Sequence, residues 1–329
     1  TGKTSAMIYR ARAILQKPEN SVLMLTFTRN AAQEMGERLK KLSTEVMQDR
    51  YMNATFHSFA IHCLRTSGNV QLTANCQLNM NRVTVLSDFE RSSLFDYVSR
   101  RYAKKFPKNW QYELSGRINS CDPGERSLED LFVDQQNWHS LWKRLLKTYS
   151  QLGVMDFDLL LLLFENRLRT EPDFLRYVAS MFTHLIIDEF QDTNYLQLLS
   201  LLHIFTARFD KRAYCRQLMV VGDDFQTIYE WRGAFTGIFD EFASWGECIT
   251  LPLNINFRSG YDIVAAANDL AEKLATEPLH QSCCALVPAT MELGRSDIDS
   301  LYIPPQIQFN NLPTAINFLL LQGCSFEEI

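Results

Sequence analysis

The chain has 329 residues, 46% hydrophobic and 22% charged, a composition that excludes a largely disordered protein. Its formal charge of −5 excludes a histone-like polybasic nucleic-acid binder while leaving room for a local basic groove. No apolar run approaches the ~18–20 residues that span a bilayer, and no charged-then-apolar signal segment opens the chain. The 8 cysteines, with no CxxC pair, suit neither a disulfide scaffold nor zinc ligation, so reduced, mostly buried thiols in an intracellular protein are expected. Because the first residue is Thr1 rather than Met, the chain is expected to begin inside a longer protein.

Residues 1–64 read as helix, strand, helix, strand. Met7, Ile8, Ala11, Ile14 and Leu15 recur at helical spacing, and Val22 to Phe27 form a continuous apolar run. A second amphipathic helix carries Met35, Leu39 and Leu42 on one face, with Thr28 placed to cap its start. Apolar strands alternating with helices predict a parallel sheet covered on both faces.

Residues 65–150 are polar and expected to be helical. Ser87 and Glu90 make a capping box ahead of Phe89, Leu94, Tyr97 and Val98. This stretch holds 13 Lys and Arg against 9 Asp and Glu, a net of +4 that leaves −9 for the rest. Arg100, Arg101, Lys104, Lys105 and Lys108 fall within nine residues, interleaved with Tyr97, Tyr102, Phe106 and Trp110. A solvated basic helix face and a contact with duplex phosphates both fit that pattern.

From about residue 151 the α/β pattern resumes, with strand-like runs at His184–Asp188, Leu218–Val221 and Cys248–Leu251. Asn254 begins another helix-bearing unit, in which Pro304, Pro305 and Pro313 mark loops.

Two local patterns carry chemistry. Gly2-Lys3-Thr4 precedes an amphipathic helix and matches the end of the phosphate-loop pattern GxxxxGK[ST], whose backbone N–H groups cradle polyphosphate. In that pattern Lys3 reaches the β- and γ-phosphates and the Thr4 hydroxyl ligates Mg²⁺; taken alone, the tripeptide is also a solvated helix start. The strand Leu185-Ile186-Ile187 delivers Asp188 and Glu189 at its C-terminal end, where open parallel sheets bind ligands. Asp188 can hold Mg²⁺ through water, and Glu189 can orient or deprotonate an attacking water. An isolated Asp-Glu pair can equally be a solvated turn, but its coupling to Gly2-Lys3-Thr4 favours the nucleotide reading.

Asp188-Glu189-Phe190-Gln191-Asp192-Thr193 resembles the DEFQDT box of the UvrD/Rep/PcrA family of superfamily-one DNA helicases. Further blocks resemble that family in order. Thr26-Phe27-Thr28-Arg29-Asn30-Ala31-Ala32 is similar to motif Ia, and Thr55-Phe56-His57-Ser58-Phe59 to motif Ib. Met155-Asp156-Phe157-Asp158-Leu159-Leu160 is similar to the LDFxDLL segment. The run from Val221 through Gly222, Asp223 and Gln226 to Tyr229, Trp231 and Ala234 is similar to motif III, and Asn256-Phe257-Arg258-Ser259 to motif IV. The blocks extend to about residue 268.

The resemblance implies an α/β fold: a RecA-like P-loop NTPase parallel sheet with a helical insertion, followed by the start of a second RecA-like domain. Residues 1–64 and 151–252 would form the first motor, 65–150 its 1B-like insertion, and 253–329 the incomplete second motor. ATP would lie between the motors and single-stranded DNA across their top. By resemblance, Gly2, Lys3, Thr4, Gln226 and Arg258 bind the nucleotide, Thr4 and Asp188 hold Mg²⁺, and Glu189 serves hydrolysis. Gln226 senses the γ-phosphate, Arg258 reaches it from the second motor, and Gln191 is an adjacent polar coupling residue. Phe27, Tyr229 and Trp231 would stack on bases, Thr55 and His57 would face the DNA, and Arg101 and Lys105 would meet duplex phosphates.

The implied function is an ATP-dependent DNA helicase translocating 3′ to 5′ on single strands and acting at single/double-strand junctions. It would be intracellular, in a bacterial cytoplasm or a nucleus, with no membrane association; protein partners and pathway stay open. The upstream glutamine motif and motifs V and VI have no counterpart in the chain, so an internal fragment inactive on its own is expected. Two other readings are the motor portion of a helicase–nuclease and a non-motor single-strand binder that uses ATP as a switch. The intact Asp188-Glu189 pair argues against an ATPase-dead protein.

Overall fold

In the computed structural model the described residues are 2–66, 68–100, 109–121, 123–124, 126–209, 212–213, 215, 217–223, 226–227, 237–251, 253, 255–256, 259–274 and 284–285. Two compact units emerge, Gly2–Leu253 and one beginning at Asn254. The first starts with helix α1 (Lys3–Leu15), strand β1 (Val22–Thr26), helices α2 (Arg29–Leu42) and α3 (Glu45–Gln48), strand β2 (Tyr51–Thr55) and helix α4 (Phe56–Arg65). Strands β3 (Asn69–Thr73), β4 (Cys76–Asn79) and β5 (Thr84–Val85) follow, then helices α5 (Asp88–Ser99), α6 (Trp110–Asn119) and α7 (Gln136–Leu152). The chain continues through β6 (Val154–Met155), α8 (Phe157–Thr170), α9 (Pro172–Ser180), β7 (His184–Ile187) and α10 (Tyr195–Thr206). It closes with β8 (Arg208–Phe209), β9 (Arg212–Ala213), β10 (Gln217–Val220) and α11 (Ile238–Ser244).

Four strands lie in the order β10-β7-β1-β2, and every neighbouring pair is parallel. Every residue of β1 and β7 is buried, as a sheet covered on both faces requires. Alternate side chains serve opposite faces. Val22, Met24 and Ile186 pack with Met7, Ala11 and Leu15 of α1 and Met35 and Leu39 of α2. Leu23, Leu25, Leu185 and Ile187 join the larger core on the other side, which includes residues of α4, α8 and α10. Each fully buried aliphatic side chain there contributes about 1.5–3 kcal/mol. The α/β architecture predicted from the apolar runs is therefore present. Register places Leu25 opposite Ile187, Ile187 opposite Val220 and Thr26 opposite Thr55, so the strands end together at one edge.

The 65–150 stretch is not wholly helical. It opens with an antiparallel hairpin of β3 and β4, whose buried Val70, Leu72 and Leu78 alternate with polar residues at a period of two. Short β5 pairs in parallel with β6 where the chain returns. The Ser87–Glu90 capping box starts α5 as predicted, but the buried face is Phe95 and Val98, while Phe89 and Tyr97 are exposed. Cys248–Leu251 forms no strand: its Ile249 and Leu251 are exposed, and the four-stranded sheet ends at β10. Strand β10 starts one residue earlier than predicted, and the Val221 N–H still bonds the Ile187 carbonyl at 2.8 Å.

In the second unit β11 (Ile255–Asn256) pairs in parallel with β12 (Cys284–Ala285), with helix α12 (Tyr261–Leu274) between them. The loops expected at Pro304, Pro305 and Pro313 lie outside the described residues. Among the described residues no helix is long and apolar enough to cross a membrane. The free thiols are of mixed exposure: Cys63 and Cys215 are buried, Cys76 and Cys121 half-buried, Cys248 exposed.

Candidate functional site

The aligned strand ends gather the residues singled out by sequence. Past β7 the Asp188 N–H still bonds the Leu25 carbonyl at 2.8 Å, so this carboxylate leaves the sheet from a fixed backbone. The chain then turns sharply. Glu189 adopts φ 47° and ψ 50°, the left-handed region, at a strain of about 1–3 kcal/mol for a non-glycine residue. Both sides enforce it. The Glu189 N–H donates to the Asp188 Oδ1 at 3.0 Å, and the Phe190 N–H donates to the Val221 carbonyl at 3.0 Å. The fully buried Phe190 ring lies edge-on to Phe239 and Phe242, at 5.4 and 5.6 Å. A single 3-10 turn over Phe190–Asp192 leads to Thr193 and to Asn194, which starts α10 with a capping box to Gln197.

Lys3 enters from the neighbouring helix. Gly2 takes φ 80° ahead of α1, a conformation in which glycine carries no side-chain penalty, and Lys3 is the first helical residue. The Lys3 Nζ lies 2.8 Å from the Glu189 Oε2. Thr4 sits half-buried in the first turn of the same helix.

Gln191 extends the contact. Its Nε2 donates to the Glu189 Oε2 at 2.9 Å, and its Oε1 accepts the Asp223 N–H at 3.1 Å. The Gln226 Nε2 donates to the Asp223 Oδ2 at 2.6 Å. A continuous polar line thus runs Lys3–Glu189–Gln191–Asp223–Gln226 across α1, the β7 end and the loop after β10.

The acids are strongly influenced by their surroundings. Burial, reinforced by the neighbouring Glu189 charge, pushes the Asp188 carboxyl up to about 6, against the pull of Lys3. Burial and Glu189 likewise push Asp192 up to about 6, and its buried Oδ1 has no hydrogen-bond partner. Crowded acids held above their usual range, with an orphaned oxygen, are a donor set that a cation would relieve. Among the described residues no three His, Cys, Asp or Glu side chains form a metal cage.

A cleft against the carboxylates is lined by Phe27, His57, Asp188, Glu189, Asp192 and Thr193, among others. Phe27 is about one-third exposed, and the His57 ring lies edge-on to Phe157 at 4.9 Å. Thr55 is buried and caps α4, accepting the Ser58 N–H at 3.1 Å and donating to the Ser58 Oγ at 2.8 Å. Phe27 and His57 therefore share one cleft with the carboxylates, whereas the Thr55 hydroxyl is occupied by its own helix. Arg258, Tyr229, Trp231, Arg101 and Lys105 lie outside the described residues. Asp192, Asp223 and Gly222 had no role assigned from sequence; their positions inside the quoted blocks were the available signal.

The sequence model of the UvrD/REP helicase N-terminal domain matches residues 1–245. The chain is 29% identical over 282 residues to the ATP-dependent DNA helicase PcrA of Staphylococcus epidermidis, covering 82% of this chain and 36% of that protein. It is 29% identical over 280 residues to the PcrA of Staphylococcus aureus, with coverage of 82% and 36%. The chain thus spans about a third of the length of these relatives. With Lys3, the strand-end carboxylates and the bridging Gln191 joined in one place and the family match covering most of its length, the chain belongs to the UvrD/REP helicase family.

Proposed function

We propose that this chain is the ATP-hydrolysing portion of a DNA helicase that translocates 3′ to 5′ on single-stranded DNA and opens duplex at a junction. In this reading residues 1–64 and 151–252 form one motor, 65–150 its insertion, and a second motor begins at 253. The observation that carries the reading is the Lys3–Glu189–Gln191–Asp223–Gln226 line, with Phe27 and His57 in the adjoining cleft.

Bound ATP with Mg²⁺ supplies the phosphoanhydride to be cleaved and a positive charge beside it. Gly2, Lys3 and Thr4 would hold the phosphates and the metal, with Asp188 as the carboxylate ligand. Glu189, paired to Lys3 at 2.8 Å, is the base that orients a water and takes its proton. Gln226 and Arg258 would donate to phosphate oxygens. Gln191 ties Glu189 to the backbone of Asp223, so a shift in the loop bearing Gln226 is felt at the base. Phe27, Tyr229 and Trp231 stack on bases, which tolerates any sequence, and His57 contacts the DNA backbone. Arg101 and Lys105 would meet duplex phosphates, a contact that weakens with salt.

Strand displacement by the full-length protein on 3′-tailed and 5′-tailed duplexes tests the reading. ATP-dependent opening of the 3′-tailed substrate alone is expected. Opening of neither, with ATP-dependent single-strand binding retained, would sink it.

A further inference from the structure

Away from the carboxylates, a polar cluster joins the inserted helices to the motor. Arg91 of α5 donates to Asp156 at 2.9 Å and to Asp158 at 2.7 Å, and the Tyr149 hydroxyl of α7 donates to Asp156 at 2.7 Å. On α6, Ser115 donates to the Asp158 Oδ2 at 2.6 Å. Asp158 lies in the first turn of α8, which Asp156 caps by accepting the Leu159 N–H at 2.8 Å.

Asn119, the last residue of α6, carries the cluster toward the hydrolytic loop. Its Nδ2 donates to the Asp158 Oδ1 at 2.8 Å and to the Ser115 carbonyl at 3.0 Å, and its Oδ1 accepts the Asn194 Nδ2 at 3.1 Å. A carboxylate on one side and a donor on the other allow only this orientation of the amide. Asn119 is almost wholly buried, so these bonds are shielded from water.

Asn194 spends its other groups on α10. Its Oδ1 accepts the Gln197 N–H at 2.9 Å, and its N–H donates to the Gln197 Oε1 at 3.1 Å. Upstream, the Thr193 N–H bonds the Phe190 carbonyl and the Asp192 N–H bonds the Glu189 carbonyl, each at 3.0 Å. The five residues before Asn194 are therefore one stiff turn that begins at Glu189. A displacement of Asn194 has little slack in which to dissipate before it reaches that carboxylate.

We infer that Asn119 is a positioning residue for the hydrolytic loop: the Asp158–Asn119–Asn194 relay makes the packing of the inserted helices set the placement of Glu189. The inference rests on the ATP-hydrolysing reading of Lys3, Asp188 and Glu189.

The test uses Asn194→Ser and Asn119→Ala in the full-length protein, with the double variant. Serine keeps a good helix cap but removes the donor to Asn119. DNA-stimulated kcat is expected to fall roughly tenfold in each single variant, with KM for ATP within about twofold. The double variant should be no slower than the worse single one, because both cut the same link. Asn194→Ser should lose only a few degrees of melting temperature, roughly what one unpaired buried amide oxygen costs. Unchanged kcat per folded molecule in Asn194→Ser overturns the relay, whether or not Asn119→Ala folds. An unmutated protein with no DNA-stimulated ATPase would instead overturn the enzymatic reading beneath it.

Discussion

Gly222 lies directly against the side chain of Gln191. A β-carbon at Gly222 would stand 2.3 Å from the Gln191 Oε1, 2.7 Å from Phe239 and 3.1 Å from the Phe190 backbone nitrogen. The glutamine that joins Glu189 to Asp223 is thus seated on a backbone that tolerates no side chain.

Gly222→Ala should force Gln191 off its bonds, since the Phe190 backbone is held to Val221 and cannot yield. Overpacking of this kind costs about 1–3 kcal/mol. DNA-stimulated ATPase is expected to drop roughly tenfold while single-strand affinity changes little, because the cleft bearing Phe27 is not touched. Steady-state kinetics beside fluorescence-anisotropy titration would check this; an unchanged kcat would deny Gln191 its bridging role.

Lys3→Ala removes the cation that Glu189 pairs with and that would hold the phosphates. Loss of an electrostatic group of this kind costs about 10²–10³ in turnover. Single-strand binding should survive. Persistence of ATPase in this variant would mean that the phosphate site is elsewhere.

Asp188 and Asp192 both sit near a pKa of about 6, above the ordinary carboxylate value of 3.8. Mg²⁺ affinity should therefore weaken as pH falls through about 6, because protons compete with the metal for Asp188. Stability moves the opposite way: a raised acid favours the folded state below about 3.8, and that contribution is lost as pH rises through 6. Asp188→Asn should consequently stabilise the inactive protein near neutral pH by about 1–2 kcal/mol, allowing for partial exposure. Thermal melts of both proteins across that range would show their midpoints converging in acid.

The buried cluster in the insertion makes a separate prediction. Burial alone would lower the Arg91 pKa, yet Asp156 and Asp158 raise it. Removing the guanidinium leaves two acids facing each other with only hydroxyl, amide and backbone donors. Arg91→Ala should lose about 3–5 kcal/mol of unfolding free energy. Urea denaturation followed by circular dichroism would measure it, and a loss below 1 kcal/mol would contradict the pairing.

Much of this was legible in the residues themselves. Alternation of apolar runs with helical periodicity announced the parallel sheet, Thr28 and Ser87 announced two helix starts, and Asp188 and Glu189 stood at a strand end. Local physics writes such signals: a cap acts over three residues and a strand end over one or two. The errors came where local and distant preferences compete. The polar 65–150 stretch hides a hairpin because Val70, Leu72 and Leu78 alternate only briefly. Cys248–Leu251 is apolar enough for a strand but forms no pairing in the sheet that ends at β10.

The sequence alone determined which residue types could bind phosphate, hold a cation and activate water, because side-chain chemistry and short-range spacing are local properties. The tertiary structure decided which of them meet. Lys3 and Glu189 are 186 residues apart, Asn119 and Asn194 are 75, and Gln191 and Asp223 are 32. Those contacts depend on the strand order β10-β7-β1-β2 and on how α6 packs against α8. Hydrogen bonds demand placement to within a few tenths of an ångström, and only the folded core supplies that precision.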